Sequence, residues 1–198
     1  MITSKAELKE YISLDQKALG ITLSVKERLS AIIKPTIWKY EYRLRKMEYL
    51  HNCRRNSLLQ KVIFTIKYAR FVSYGYKLGF TIPLNVFGPG LCLAHFGTVV
   101  INENARIGKN ARVHVGVSVG NSAPLGNNHS NDFVPIIGDN VYLGPGAKVY
   151  GKIIIEDNVR IGANAVVNKD VPFGVTVGGV PAKVISNTGS YHGLQLDT

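Results

Sequence analysis

The chain has 198 residues and a formal net charge of +11, a length that fits one medium domain with an appendage. Residues 1–78 carry 16 Lys and Arg against 6 Asp and Glu, while residues 79–198 carry 8 against 7, so nearly all of the excess charge is N-terminal. Cys53 and Cys92 show no metal or redox spacing, the first residues do not form a signal peptide, and no apolar run could cross a bilayer; a cytoplasmic protein with free thiols is expected.

Residues 1–78 are predicted to form a basic α-helical region. Leu8, Ile12 and Leu14, then Leu29, Ile32, Ile33, Ile37 and Tyr40, then Leu58, Leu59, Val62, Ile63 and Ile66 recur at helical spacing. Ser4 and Glu7 have capping-box spacing for a first helix, Pro35 ends or kinks a second, and Gly75 and Gly79 mark the exit from the helices. A run from Lys39 to Arg70, including Arg43, Arg45, Lys46, Arg54, Arg55, Lys61 and Lys67, is interleaved with aromatic residues. Two readings stay open: a solvated basic face over an aromatic core, or attraction to an anion. That anion is an acidic polysaccharide, a nucleotide-linked intermediate or, through peripheral contact, a membrane surface. No DNA- or RNA-binding motif accompanies the charge, so nucleic acid is not expected.

From residue 79 a six-residue beat takes over. Ile101, Ile107, Val113 and Val119, then Ile137, Leu143, Val149, Ile155, Ile161 and Val167 are aliphatic, and four positions after nearly all of them comes another small or aliphatic residue. A strict six excludes heptads and amphipathic helices. Pairs such as Val141 and Leu143 are two apart and share one side of a short strand, while Gly, Asn and Asp between them turn corners. Three such units close a triangular coil, and stacked coils make a parallel β-helix over residues 79–186, a mainly β fold. The polar, glycine-containing stretch 121–135 is expected as an extruded loop, and 187–198 as a tail. Helices laid over the first coil would hide its open strand edges.

The repeat, the segment Leu93-Ala94-His95-Phe96-Gly97, the loop and the ending Gly179-Val180-Pro181-Ala182-Lys183 resemble the hexapeptide-repeat acyltransferases. The branch it resembles holds serine acetyltransferases and bacterial polysaccharide O-acetyltransferases. The resemblance implies a left-handed coil, against the usual crossover rule. It also implies a homotrimer and acetyl-CoA as co-substrate in a groove between subunits, with no metal.

His95 matches the family's catalytic histidine and is the expected general base, its free pKa lying near working pH. His114, 19 residues later and one past the inward Val113, points outward and is a second candidate. Glu103 matches a family carboxylate eight residues after the histidine; it orients an imidazole or is an exposed corner charge. His129, in the loop, binds acceptor or is a solvated histidine. Pro145 and Ala163, one coil apart, match the small residues of the pantetheine groove, although Pro145 removes an N–H. Asn168, Lys169 and Lys183 lie in segments resembling those near the adenosine phosphates, and either lysine is otherwise a plain surface residue.

Three departures bear on the acceptor. Serine acetyltransferases carry an aspartate fifteen residues before the catalytic histidine, where this chain has Phe80. Val134 replaces a histidine before Pro135, and Ala94 replaces the acidic residue before His95. A buried ammonium without those groups is unpaired. These losses predict an O-acetyltransferase acting on a sugar hydroxyl of a bacterial capsular or extracellular polysaccharide or its precursor, with Phe80 stacking on the sugar. An acidic saccharide would gain from the basic helices. The alternative is a serine O-acetyltransferase of cysteine biosynthesis. A third reading is a catalytically silent β-helix, serving as a scaffold or binding metal through His95, His114 and His129.

Overall fold

The computed structural model describes residues 1–21, 36–53, 57–122 and 133–190. The expectations placed on Leu29, Ile32, Ile33, Pro35, Arg54, Arg55 and His129 lie outside these residues, as does most of the tail. Among the described residues three helices come first: α1 (Lys5–Ala18), α2 (Ile37–Cys53) and α3 (Leu58–Leu78). The Ser4 hydroxyl accepts from the Glu7 N–H at 3.1 Å while the Glu7 carboxylate accepts from the Ser4 N–H, so two otherwise unpaired donors are satisfied at the start of α1. α3 stops at Gly79, which is left-handed at φ 84°; a side chain there would collide with the backbone of Gly97.

Among the described residues, thirteen short strands then wind a β-helix with three faces, and a fourteenth folds back on it. The first face stacks β1 (Phe80–Thr81), β3 (Val99–Ile101), β6 (Ser118–Gly120), β9 (Lys148–Tyr150) and β12 (Val166–Val167). The second stacks β4 (Arg106–Ile107), β7 (Ile136–Ile137) and β10 (Ile154–Ile155). The third stacks β2 (Cys92–Leu93), β5 (Arg112–Val113), β8 (Tyr142–Leu143), β11 (Arg160–Ile161) and β13 (Thr176–Gly178). β14 (Lys183–Ser186) folds back antiparallel on β13; every other pairing is parallel. Ile161 pairs with Leu143, and Ile155 with Ile137, one 18-residue coil earlier. Across the 121–135 stretch the offset widens to thirty, as in Val113 with Leu143 and Val119 with Val149, yet the stacking continues.

The aliphatic beat fills the interior: each of its residues, and each small residue four places later, is buried. Burial of this apolar column is the main stabilising contribution, at about 25 cal/mol per Å² removed from water. Asn110, Asn140 and Asn158 turn successive corners at φ 55°, 56° and 59°. Their amides bond in a ladder, Asn110 to Asn140 at 2.9 Å and Asn140 to Asn158 at 3.0 Å.

The helices close the first coil with ionisable side chains. Asp15 accepts from the N–H groups of Gly90 and Leu91, Glu41 from that of Leu93 and Glu48 from that of Asn85. Arg45 donates to the carbonyls of Phe87 and Gly88. All four ionisable residues are buried. A strand edge that would otherwise be unpaired is thus satisfied without another strand.

One part of the helical pattern faces the wrong way for a core. α3 packs inward through Phe71, Gly75 and Leu78, because a side chain at Gly75 would strike the Phe80 carbonyl and Tyr40. Its other apolar set, Leu58, Leu59, Val62, Ile63 and Ile66, is turned to solvent.

Candidate active site

The corner that follows the third face forms one edge of the prism, and the two candidate histidines stand on it. β2 delivers His95 just past Ala94, whose N–H bonds to the Val113 carbonyl at 2.9 Å. One coil up, β5 delivers His114, whose N–H bonds to the Leu143 carbonyl at 3.1 Å. Their ring centroids are 5.6 Å apart at an interplanar angle of 56°. His95 is exposed and His114 half-buried. The Nε2 atom of His114 is buried and has no hydrogen-bond partner among the described residues.

Two residues missing from the sequence reading complete this column. Tyr142 lies 4.9 Å from the His114 ring, and the Arg160 guanidinium sits 4.7 Å over the Tyr142 ring. Arg112, Tyr142 and Arg160 are in register on successive coils, each just before an inward aliphatic residue. That position in the repeat was the available signal. Burial, reinforced by the positive charges of Arg112, His95 and Arg160, holds the His114 pKa below its ordinary 6.5. His114 is therefore neutral at neutral pH, and its buried ring nitrogen is free to take or give a hydrogen bond.

The remaining candidates fall on two edges. Pro145 and Ala163 are exposed on the histidine edge, stacked one over the other, with the Asn164 N–H bonded to the Pro145 carbonyl at 2.8 Å. Lys183 opens β14 opposite Gly178, at the far end of the same edge. Glu103 lies instead at the corner between β3 and β4, and Asn168 and Lys169 follow β12 at the corresponding corner. Within one chain these three are a face away from the histidines, so Glu103 does not orient an imidazole of its own subunit.

Phe80 does not line an acceptor site. It is 2% exposed and packs edge-on against Tyr40 at 5.0 Å, inside the junction of helices and coil. Val134 is buried as well. Phe80 offers no surface to a sugar, because an inward strand position under the helix cap is filled by the core. Among the described residues no group of three His, Cys, Asp or Glu side chains is placed to hold a metal ion.

The family model for the bacterial transferase hexapeptide (six repeats) matches residues 135–169, and that for the hexapeptide repeat of succinyl-transferase matches residues 98–130. The chain is 42% identical over 106 residues to a serine acetyltransferase of Mycobacterium tuberculosis, covering 54% of this chain and 44% of that one. It is 43% identical over 100 residues to the Helicobacter pylori serine acetyltransferase, covering 50% and 56%. The chain thus spans about half the length of the curated relatives it matches. Serine acetyltransferase of Neisseria gonorrhoeae superposes with a TM-score of 0.68 at 27% identity, over 94% of this chain and 69% of that one. The Brucella abortus serine acetyltransferase in complex with coenzyme A superposes with a TM-score of 0.69 at 26% identity, over 94% and 70%. These likenesses overturn the polysaccharide reading, whose main support, Phe80, lies in the core. The fold is a left-handed β-helix, and the chain carries the hexapeptide repeat of the bacterial acyltransferases it resembles.

Proposed function

We propose that this protein is an acetyl-CoA-dependent O-acetyltransferase whose acceptor is the hydroxyl of serine. Carrying the chemistry is the His95–His114 pair, an exposed imidazole beside a half-buried one held neutral. The acceptor rests on the likeness to serine acetyltransferases. Acetyl-CoA supplies the acetyl group as a thioester. The small exposed surfaces of Pro145 and Ala163 suit a pantetheine chain, and the Lys183 ammonium at the end of that edge suits a phosphate.

His95 takes the hydroxyl proton as the serine oxygen attacks the thioester carbonyl carbon. The C–S bond breaks, and the imidazolium returns the proton to the departing sulfur, so no charge is left on the protein. His114 packs beside His95 and limits the space its ring can occupy.

A homotrimer accounts for the two-edge distribution. Ile136 and Ile154, neighbours in register on the three-stranded face, are more than half exposed and suit burial against another subunit. Such packing would bring the edge with Glu103, Asn168 and Lys169 toward the histidine edge of a neighbour, in a closed cyclic arrangement.

The test is release of free CoA thiol by the full chain with acetyl-CoA and L-serine, with O-acetylserine identified by mass. Serine-dependent release is expected. No release above background hydrolysis at saturating L-serine would overturn the acceptor assignment.

A further inference from the structure

The outward face of α3 combines an exposed apolar strip with uniformly positive charge. Leu58, Leu59, Val62 and Ile66 are 78%, 68%, 49% and 56% exposed, on the side opposite the packed Phe71, Gly75 and Leu78. The helix carries Lys61, Lys67, Arg70 and Lys77 and no acidic residue in its 21 positions. α2 beside it has two acidic residues, Glu41 and Glu48, but both are buried and bonded to the first coil. The exterior of the helix pair therefore presents only cations around an apolar strip. Between the helices a groove of about 250 Å³ has Met47 and Phe71 among its walls, with Arg43, Lys46, Lys67 and Arg70 beside them.

We propose that this face docks on the surface of an anionic lipid membrane, α3 lying in the plane of the headgroups. Charge decides the occupant. A second copy of the same face would set cations against cations, whereas acidic headgroups neutralise them while the acyl boundary takes up the leucine and isoleucine side chains. No described helix is long and apolar enough to cross a membrane, which agrees with a helix that lies on the bilayer rather than through it. The proposal is independent of the acceptor.

The experiment is co-sedimentation of the full chain with vesicles of phosphatidylcholine and phosphatidylglycerol, against phosphatidylcholine alone. Binding to the mixed vesicles only, reversed by salt, is expected. The double variant Leu59→Glu/Ile66→Glu should abolish binding. Lys61→Gln/Lys67→Gln should weaken it about thirtyfold, at about 1 kcal/mol for each cation. Circular dichroism and light scattering on each variant establish that fold and mass are retained. Failure of the wild-type chain to sediment with the mixed vesicles overturns the proposal, as does equal binding to neutral ones. If the wild type ignores vesicles and Leu59→Glu/Ile66→Glu lowers its mass, the face joins copies of the chain and the proposal is wrong.

Discussion

Arg45 and Asp15 form a two-pronged ion pair, Nε to Oδ2 at 2.7 Å and Nη2 to Oδ1 at 3.2 Å, completely buried between α1, α2 and the first coil. The same guanidinium reaches Glu48 at 3.0 Å and two backbone carbonyls. It joins the helical cap to the β-helix.

Replacing Arg45 with Met strands two buried carboxylates and two carbonyls. A loss of about 3–5 kcal/mol in unfolding free energy is expected, the usual effect of breaking one side of a buried pair. Urea denaturation measures it, and a loss within experimental error would show that the cap does not depend on this cation.

Glu41 makes stability depend on pH in an unusual direction. Burial raises its pKa well above the ordinary 4.5, despite its bond from the Leu93 N–H. The folded chain therefore holds this proton more tightly than the unfolded one. The resulting stabilisation is fully present below 4.5 and is lost as pH rises through the raised folded value. Denaturation curves of the wild type and Glu41→Gln across that range should converge at low pH, with the wild type falling behind as pH rises. Parallel curves would contradict the assignment.

His114 behaves in the opposite sense. Its depressed pKa means that the neutral ring's contribution is present above 6.5 and is lost as pH falls through the folded value. The imidazole proton resonances followed by NMR should give a midpoint below 6.5. Arg160→Gln should move it upward, since one of the nearby positive charges is removed. A midpoint at or above 6.5 in the wild type would remove the case for a neutral partner to His95.

His95→Ala should lower kcat by about 10²–10⁴ with acetyl-CoA affinity nearly unchanged, the range expected for loss of a general base. Near-normal turnover in that variant, with a large loss in His114→Ala, would exchange the two roles.

The proposed trimer is tested at Ile154. Light scattering of the wild type should give three times the chain mass, and Ile136→Asp/Ile154→Asp should give the mass of one chain. A wild-type monomer at working concentration would remove both the trimer and the site shared between subunits.

The β-helix was legible because its signal is local and repeated. Ile107, Val113 and Val119 each announce an inward position, and an asparagine such as Asn140 announces a left-handed corner. The cap was not legible. Asp15 meets Gly90 and Leu91 across more than seventy residues, and nothing local marks Glu41 or Arg45 as buried rather than solvated. Phe80 misled for a related reason: matching it by spacing to an aspartate assigned it a site, while the helix above assigned it to the interior. His95 and His114 could be paired from their 19-residue separation, but Tyr142 and Arg160 needed the register, because the thirty-residue offset hides that Arg112 and Tyr142 are neighbours.

That offset has a consequence for how the protein can change. Leu143 stacks on Val113 as regularly as Ile161 stacks on Leu143, so the coils on either side are indifferent to how much chain departs after β6 and returns before β7. Doubling such an excursion costs only about 0.6 kcal/mol in closure entropy. Its ends sit at the corner between the first and second faces, where Glu103 and Lys169 also lie. Evolution can therefore lengthen, shorten or exchange this stretch without renegotiating the scaffold, and descendants sharing one spine can diverge in what they recognise.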